Sequence, residues 1–246
     1  MKAKFLLVVA LLVQLSAFGQ GLRLMWVGDS ITDGGWGRSG GSMASAEERN
    51  QRDQNHLYGH SYMFFCAAEL ESRHPQRIDA CFNRGISGYT LADLEARWEQ
   101  DVEALQPDLL SVLIGTNDVN RHFKNRKGEV PFDLVGWEHA YRAYLMRTRA
   151  RFPQLKLVLC TPFVMRSGRL AEAPHFDEQA ETIARCADVV RRLAREFDAT
   201  LVDFQRLFAR LEARTACSAE HWIWDGIHPT PAGHYKMARL WLKKVD

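Results

Sequence analysis

The sequence has almost no net charge: 32 Lys and Arg stand against 30 Asp and Glu, and no basic block interrupts the mixture. That removes the electrostatic case for nucleic acid, because neutralising phosphates takes clustered Lys and Arg. Cysteine is scarce. Cys66, Cys81, Cys160, Cys186 and Cys217 include no CxxC pair and no Cys/His spacing suited to zinc. The odd number leaves at least one thiol unpaired in an exported chain. Cys66, Cys160 and Cys186 fall in apolar or helical patterns and read as buried thiols, and Cys66 with Cys81 is the pair to test for a disulfide. No Gly-Lys-Ser/Thr is present, which excludes a P-loop. Repeats, linkers and low-complexity tracts are absent too. The 246 residues read as one sizeable α/β core.

Long apolar runs are missing except at the start. Lys2 and Lys4 precede Phe5 to Ala17, a run broken only by Gln14 and Ser16. Ala17-Phe18-Gly19 then places small residues at the −3 and −1 positions of a cleavage site. The pattern predicts a secretory signal peptide over 1–19 and a single domain over 20–246. The alternative, an uncleaved anchor, needs about 20 apolar residues, and the run is shorter. Export to the periplasm or the exterior, with no stable membrane association after cleavage, is the expectation. Losing Lys2 and Lys4 leaves 30 basic against 30 acidic residues.

Short apolar runs alternate with helical patterns. Strands are expected at Leu22–Val27, Ile78–Phe82, Leu109–Ile114, Leu155–Cys160 and Thr200–Val202. Helices are expected at Tyr58–Arg73, Leu91–Leu105, Trp137–Phe152, Glu178–Phe197 and Pro231–Lys243. Such alternation predicts an α/β fold with a parallel sheet covered on both faces. Thr90-Leu-Ala-Asp93 reads as a capping box, and Thr230-Pro231 as an N-cap followed by proline at the first helical position. In these sheets the ligand sits at the carboxyl ends of the strands. Chemistry is therefore sought in the loops 28–57, 83–90, 115–135 and 161–177, and in the stretch 214–230 before the last helix.

The first strand ends in Gly28-Asp29-Ser30. A Ser there is well placed as a nucleophile but needs a general base. Taken alone the tripeptide fits a turn or helix cap equally well. Trp224-Asp225-Gly226-Ile227-His228-Pro229 offers the base. Asp225 and His228 are three residues apart, so one turn can bring the carboxylate to the imidazole, as a Ser-His-Asp triad requires. Asp-Gly and His-Pro also suit a plain surface turn. Asn83–Gly88 and Gly115–Asp118 follow the second and third strands. Acyl transfer needs donors aimed at a developing oxyanion, and the Ser30 N–H, the Gly85 N–H and the Asn117 amide could supply three.

Taken in order, these four segments resemble the four blocks of the SGNH (GDSL) hydrolase superfamily. Gly28-Asp29-Ser30 is similar to its nucleophile block, Asn83–Gly88 to its glycine block, Gly115–Asp118 to its Gly-x-Asn-Asp block and Asp225–His228 to its Asp-x-x-His block. The resemblance implies a flavodoxin-like three-layer α/β/α sandwich with a five-stranded parallel sheet of order 2-1-3-4-5. It also implies a metal-free and cofactor-free ester hydrolysis with Ser30, Asp225 and His228 catalytic and Ser30, Gly85 and Asn117 at the oxyanion. Asn83–Trp98, Thr161-Pro162-Phe163 and the Trp224–His234 ending look like bacterial acetylxylan and carbohydrate acetylesterases. That points to short acyl esters, O-acetyl groups on plant-type glycans or oligosaccharides foremost. Lysophospholipases and thioesterases share the blocks, and a non-catalytic glycan-binding module on the same fold is the alternative from another class. The long polar loop Asp33–Asn55 departs from the shorter acetylesterases and can reshape the pocket.

Other patterns carry weaker readings. Gly35-Trp-Gly37-Arg-Ser-Gly40 formally matches G-x-G-x-x-G but starts several residues after the strand and opens no packed helix, so it reads as a mobile rim carrying Trp36 to the site. His56 and His60, four apart, lack an evident third metal ligand. Trp36, Trp224 and Arg84 are candidate substrate contacts, with Trp224 as pocket wall. Trp222 reads as either wall or core, and solvent-facing charge is the plainer reading of Arg84 and Arg121.

Overall fold

The computed structural model describes residues 21–35, 58–125 and 130–245. The expected signal peptide, Trp36, His56 and nearly all of the loop after the nucleophile lie outside them. Five strands, β1 (Leu22–Gly28), β2 (Ile78–Gly85), β3 (Leu109–Leu113), β4 (Lys156–Cys160) and β5 (Thr200–Val202), form one sheet of order β2-β1-β3-β4-β5. Every pairing is parallel. The expected fold class and strand order are both present.

Helices cover both faces: α1 (Ser30–Asp33), α2 (Tyr62–Arg73), α3 (Leu91–Ala96), α4 (Thr116–Asn125), α5 (Leu134–Arg151), α6 (Phe176–Glu196), α7 (Phe204–Arg214), α8 (Ala219–Trp222) and α9 (Pro231–Val245). The strand β1 shows why the sheet needs two layers. Its side chains alternate, with Leu24 and Trp26 facing a core built on α2, α7 and α9, and Met25 and Val27 facing one built on α3, α5 and α6. A strand buried on both sides reads as a continuous apolar run, as Leu24–Val27 does. Trp26 packs on Trp241 of α9, ring centroids 5.1 Å apart.

Both predicted start signals operate. The Thr90 N–H donates to Asp93 Oδ2 at 2.8 Å, closing the capping box of α3. Thr230 Oγ1 accepts from the Gly233 N–H at 3.2 Å where α9 begins at Pro231. The expected helix Leu91–Leu105 is instead α3 followed by a π-helical turn, Glu99–Glu103. That turn carries Asp101 inward, where it meets Arg97 at 2.9 Å and Arg84 at 3.6 Å. Cys66 and Cys81 are both buried and unbridged, so the candidate disulfide is not formed. Among the described residues no helix is long and apolar enough to cross a membrane.

Candidate active site

All parallel strands point their carboxyl ends to one edge, and three connections there bring distant residues together. β1 ends at Gly28, where a Cβ would stand 2.5 Å from the Leu113 carbonyl oxygen of β3. The chain then turns into α1. Asp29 is its N-cap, with Oδ1 accepting the Ile31 N–H at 2.9 Å. Ser30 is therefore the first helical residue, a position whose N–H has no intrahelical acceptor. The helix stops after one turn at Gly34, in the left-handed region at φ 65°.

The second connection is the turn between α8 and α9. Ile223 and Pro229 form an antiparallel bridge, and the Trp224 N–H donates to the His228 carbonyl at 3.1 Å. Within this turn Asp225 Oδ1 accepts the N–H groups of Ile227 at 3.0 Å and His228 at 2.7 Å. Asp225 Oδ2 lies 2.8 Å from His228 Nδ1, and His228 Nε2 lies 2.8 Å from Ser30 Oγ. Nδ1 therefore carries the proton shared with the carboxylate, leaving Nε2 to accept from the serine hydroxyl. Burial alone would raise the Asp225 carboxyl. The His228 backbone N–H, the His228 ring and the Ile227 N–H outweigh it, and the group is held below the usual carboxylate range. The structure thus brings Ser30, His228 and Asp225 together from positions almost two hundred residues apart.

The two middle loops border this trio. Gly85, at the end of β2, pairs with Gly28, and a Cβ on it would sit 2.4 Å from the Asp33 amide nitrogen. Its N–H donates to Asn83 Oδ1 at 3.0 Å. Asn117, on the first turn of α4, donates one amide hydrogen to the Tyr89 carbonyl at 3.0 Å, leaving the second uncommitted by that bond. Asn83, for which the sequence suggests no individual role, is a clamp. Its Nδ2 lies within 3.2 Å of the carbonyl oxygens of Thr32, Asp33 and Tyr58, so one amide spans both sides of the α1 turn.

One sequence-based candidate changes place. Arg84 is only 2% exposed and faces Asp101 beneath the sheet edge; it is neither a substrate contact nor solvent-facing. The alternation of β2 dictates this, because Gly85 is at the mouth and its neighbour must point the other way. Arg121 is half in solvent, donating to the Gly88 carbonyl at 2.6 Å. Trp224 is exposed, and its ring lies nearly parallel to that of His228, 6.2 Å between centroids at 25°. Trp222 is buried core. No cluster of metal-ligating side chains occurs among the described residues.

The third connection is the loop 161–177, in which the sequence suggests no role for Arg169. The loop after β4 lies across the Asp225 turn, and the Arg169 Nε–H donates to Asp225 Oδ2 at 3.2 Å. Asp29 is also buried. Desolvation first, opposed by the Ile31 N–H and reinforced by the charges of Asp118 and Asp33, pushes its carboxyl up to about 7.

Comparison with known proteins identifies the family. Residues 26–236 match the model of the GDSL-like Lipase/Acylhydrolase family. An acetylxylan esterase from Geobacillus stearothermophilus is 32% identical over 234 residues, covering 92% of this chain and 95% of its own. A multidomain esterase from Ruminococcus flavefaciens is 23% identical over 176 residues, which are 20% of its length. The crystal structure of the Geobacillus enzyme superposes with a TM-score of 0.73 at 30% identity, covering 92% of this chain and 94% of that one. Matching structures include catalytic mutants of that enzyme in which a serine, an aspartate or a histidine is replaced by alanine. An α/β hydrolase from the metagenome of Lake Arreo, Spain, superposes with a TM-score of 0.70 at 30% identity over 92% of this chain. With its sheet order, its block order and a family model spanning residues 26–236, the chain belongs to the GDSL-like lipase/acylhydrolase family.

Proposed function

We propose that the chain is an exported serine esterase that removes short acyl groups, O-acetyl on plant-type glycans or their oligosaccharides, by a Ser30–His228–Asp225 triad. The observation that carries the reading is the unbroken line of contacts, 2.8 Å from Ser30 Oγ to His228 Nε2 and 2.8 Å from His228 Nδ1 to Asp225 Oδ2. Ser30 Oγ attacks the ester carbonyl as His228 Nε2 takes its proton. Asp225 stays anionic, which its depressed carboxyl favours, and stabilises the imidazolium. The Ser30 N–H and the second amide hydrogen of Asn117 face the developing oxyanion. The Gly85 N–H joins them by sharing its hydrogen with Asn83 Oδ1. His228 returns the proton to the leaving alcohol, and water, activated by the same nitrogen, releases the acid.

The glycan preference draws on the Geobacillus relative, an acetylxylan esterase, and on the exposed Trp224 ring beside His228, a face suited to a sugar. Export draws on the first 19 residues and is tested by N-terminal sequencing of the protein recovered outside the cytoplasm.

The decisive experiment compares p-nitrophenyl acetate with longer acyl esters, using Ser30→Ala as control. The expected result is hydrolysis that falls steeply beyond acetyl and drops at least 10³-fold in Ser30→Ala. Acetate release from acetylated xylo-oligosaccharides follows. Rates that rise with acyl length would favour a lipid-directed acylhydrolase. Absence of any ester hydrolysis by the wild type would leave a glycan-binding module.

A further inference from the structure

Asp225 Oδ2 has two donors. His228 Nδ1 approaches it at 2.8 Å and Arg169 Nε at 3.2 Å, while Oδ1 is filled by two backbone N–H groups. Arg169 reaches this oxygen because its loop is pinned to the catalytic turn. The Met165 N–H donates to the Gly226 carbonyl at 3.0 Å, and the Ser167 hydroxyl to the Ile223 carbonyl at 2.6 Å. Gly168 then adopts φ 48°, and a Cβ there would stand 2.2 Å from the Trp224 carbonyl oxygen. Only glycine lets the loop lie this close, and the next residue is Arg169. Leu170 packs over Gly226 from the far side.

We propose that Arg169 is a positioning residue that sets the working pH range of the site, by sharing Asp225 Oδ2 with His228. The inference rests on the triad reading above. A carboxylate oxygen that also accepts from a guanidinium is a weaker partner for the imidazole. The guanidinium charge further disfavours a proton on His228. Both effects act in one direction: with Arg169 in place, His228 becomes a free base at lower pH than it would without it. Arg169 has 59% of its side chain in solvent, so removing it leaves no buried charge unpaired on its own side.

Other titratable groups around the turn are the same with or without Arg169. Glu220 on α8 accepts from the Gly168 N–H at 3.4 Å. His234 on α9 is buried and neutral, Nδ1 accepting from the Tyr62 N–H at 3.1 Å. Asp29, beside Ser30, titrates near 7 and would itself colour a rate profile. The difference between variants, read on His228 directly, isolates Arg169.

The test uses the full chain as wild type, Arg169→Gln and Arg169→Lys, each checked for folding by circular dichroism. Two quantities are read: the midpoint of the His228 ring titration by NMR, assigned with His228→Asn, and the acid limb of kcat/KM on p-nitrophenyl acetate. In Arg169→Gln both should move up by about half a pH unit, a roughly threefold lower kcat/KM below the limb. Arg169→Lys should fall between wild type and Arg169→Gln. A midpoint and limb that stay in place in folded Arg169→Gln, or that move down, overturn the proposal. So does a Lys variant displaced further than the Gln variant. If Ser30→Ala hydrolyses as fast as wild type, the triad reading fails by itself, while the NMR midpoint still decides whether Arg169 acts on His228.

Discussion

Trp224 keeps 58% of its surface in water while its ring lies over His228. A large exposed aromatic contributes little to folding, so truncation should cost under about 0.5 kcal/mol. Under the proposed function its value is as a face for substrate. Trp224→Ala is expected to raise KM for acetylated xylo-oligosaccharides several-fold and to leave kcat/KM on p-nitrophenyl acetate within about twofold. Steady-state kinetics on the two substrates checks this, and an equal loss on both would mean that Trp224 holds His228 and not the sugar. Residues of this kind are legible in sequence when the contact is local. Asp225 and His228 declare themselves by a three-residue spacing that a turn must close. Arg84 and Arg169 do not. Whether an Arg points to solvent depends on a partner: Asp101 waits for Arg84 in a π-helical turn, and Asp225 accepts from Arg169 across 56 positions. No pattern in the chain announces either pairing.

At the scale of elements, the loop after β4 is held to the turn before α9 by backbone and side-chain bonds. Gly168 is its tightest point. Gly168→Ala would force a Cβ into the Trp224 carbonyl at a left-handed φ, so the loop must lift. The expected outcome is a loss of about 1–3 kcal/mol in urea unfolding, together with a lower kcat, because Arg169 and the backing of Asp225 move with the loop. Unchanged stability and kcat would show the loop to be dispensable. The strands were legible because each is a short apolar run with marked ends. The helices α4 and α7 are not among the expected elements. The first, Thr116–Asn125, buries only Thr116 and Val119 and so reads as polar loop. The second, Phe204–Arg214, follows a three-residue edge strand and buries only Phe204 and Phe208. Yet Phe204, Leu207, Phe208 and Leu211 recur at i, i+3, i+4 and i+7 and pack on the core, so α7 carries a helical signal that the expected elements omit.

Across the whole molecule, two buried groups, Asp29 at the N-cap of α1 and His234 on α9, oppose each other with pH. His234 on α9 is pushed down to about 3, by burial first and by the nearby His228 charge second. Its folded value is below its unfolded one, so its contribution to stability is complete above about 6.5 and drains as pH falls towards 3. Asp29 is raised to about 7, so its contribution is complete below about 4 and drains as pH rises through 7. Between about pH 4 and 6.5 the two slopes, each near 1.4 kcal/mol per pH unit, run against each other and nearly cancel. Wild-type stability should therefore be flat with respect to this pair over that window. Removing one exposes the other. His234→Asn keeps an acceptor for the Tyr62 N–H and is expected to lose about 2 kcal/mol between pH 4.5 and 6.5 relative to wild type, as the slope from Asp29 is no longer offset. Asp29→Asn keeps the acceptor for the Ile31 N–H and should gain about the same amount over the same interval relative to wild type, as the slope from His234 is no longer offset. Urea unfolding of wild type and both variants at the two pH values reads these slopes directly. The absolute stabilities also shift with packing, but the opposite signs do not depend on that, and two variants with parallel pH profiles would refute the opposition.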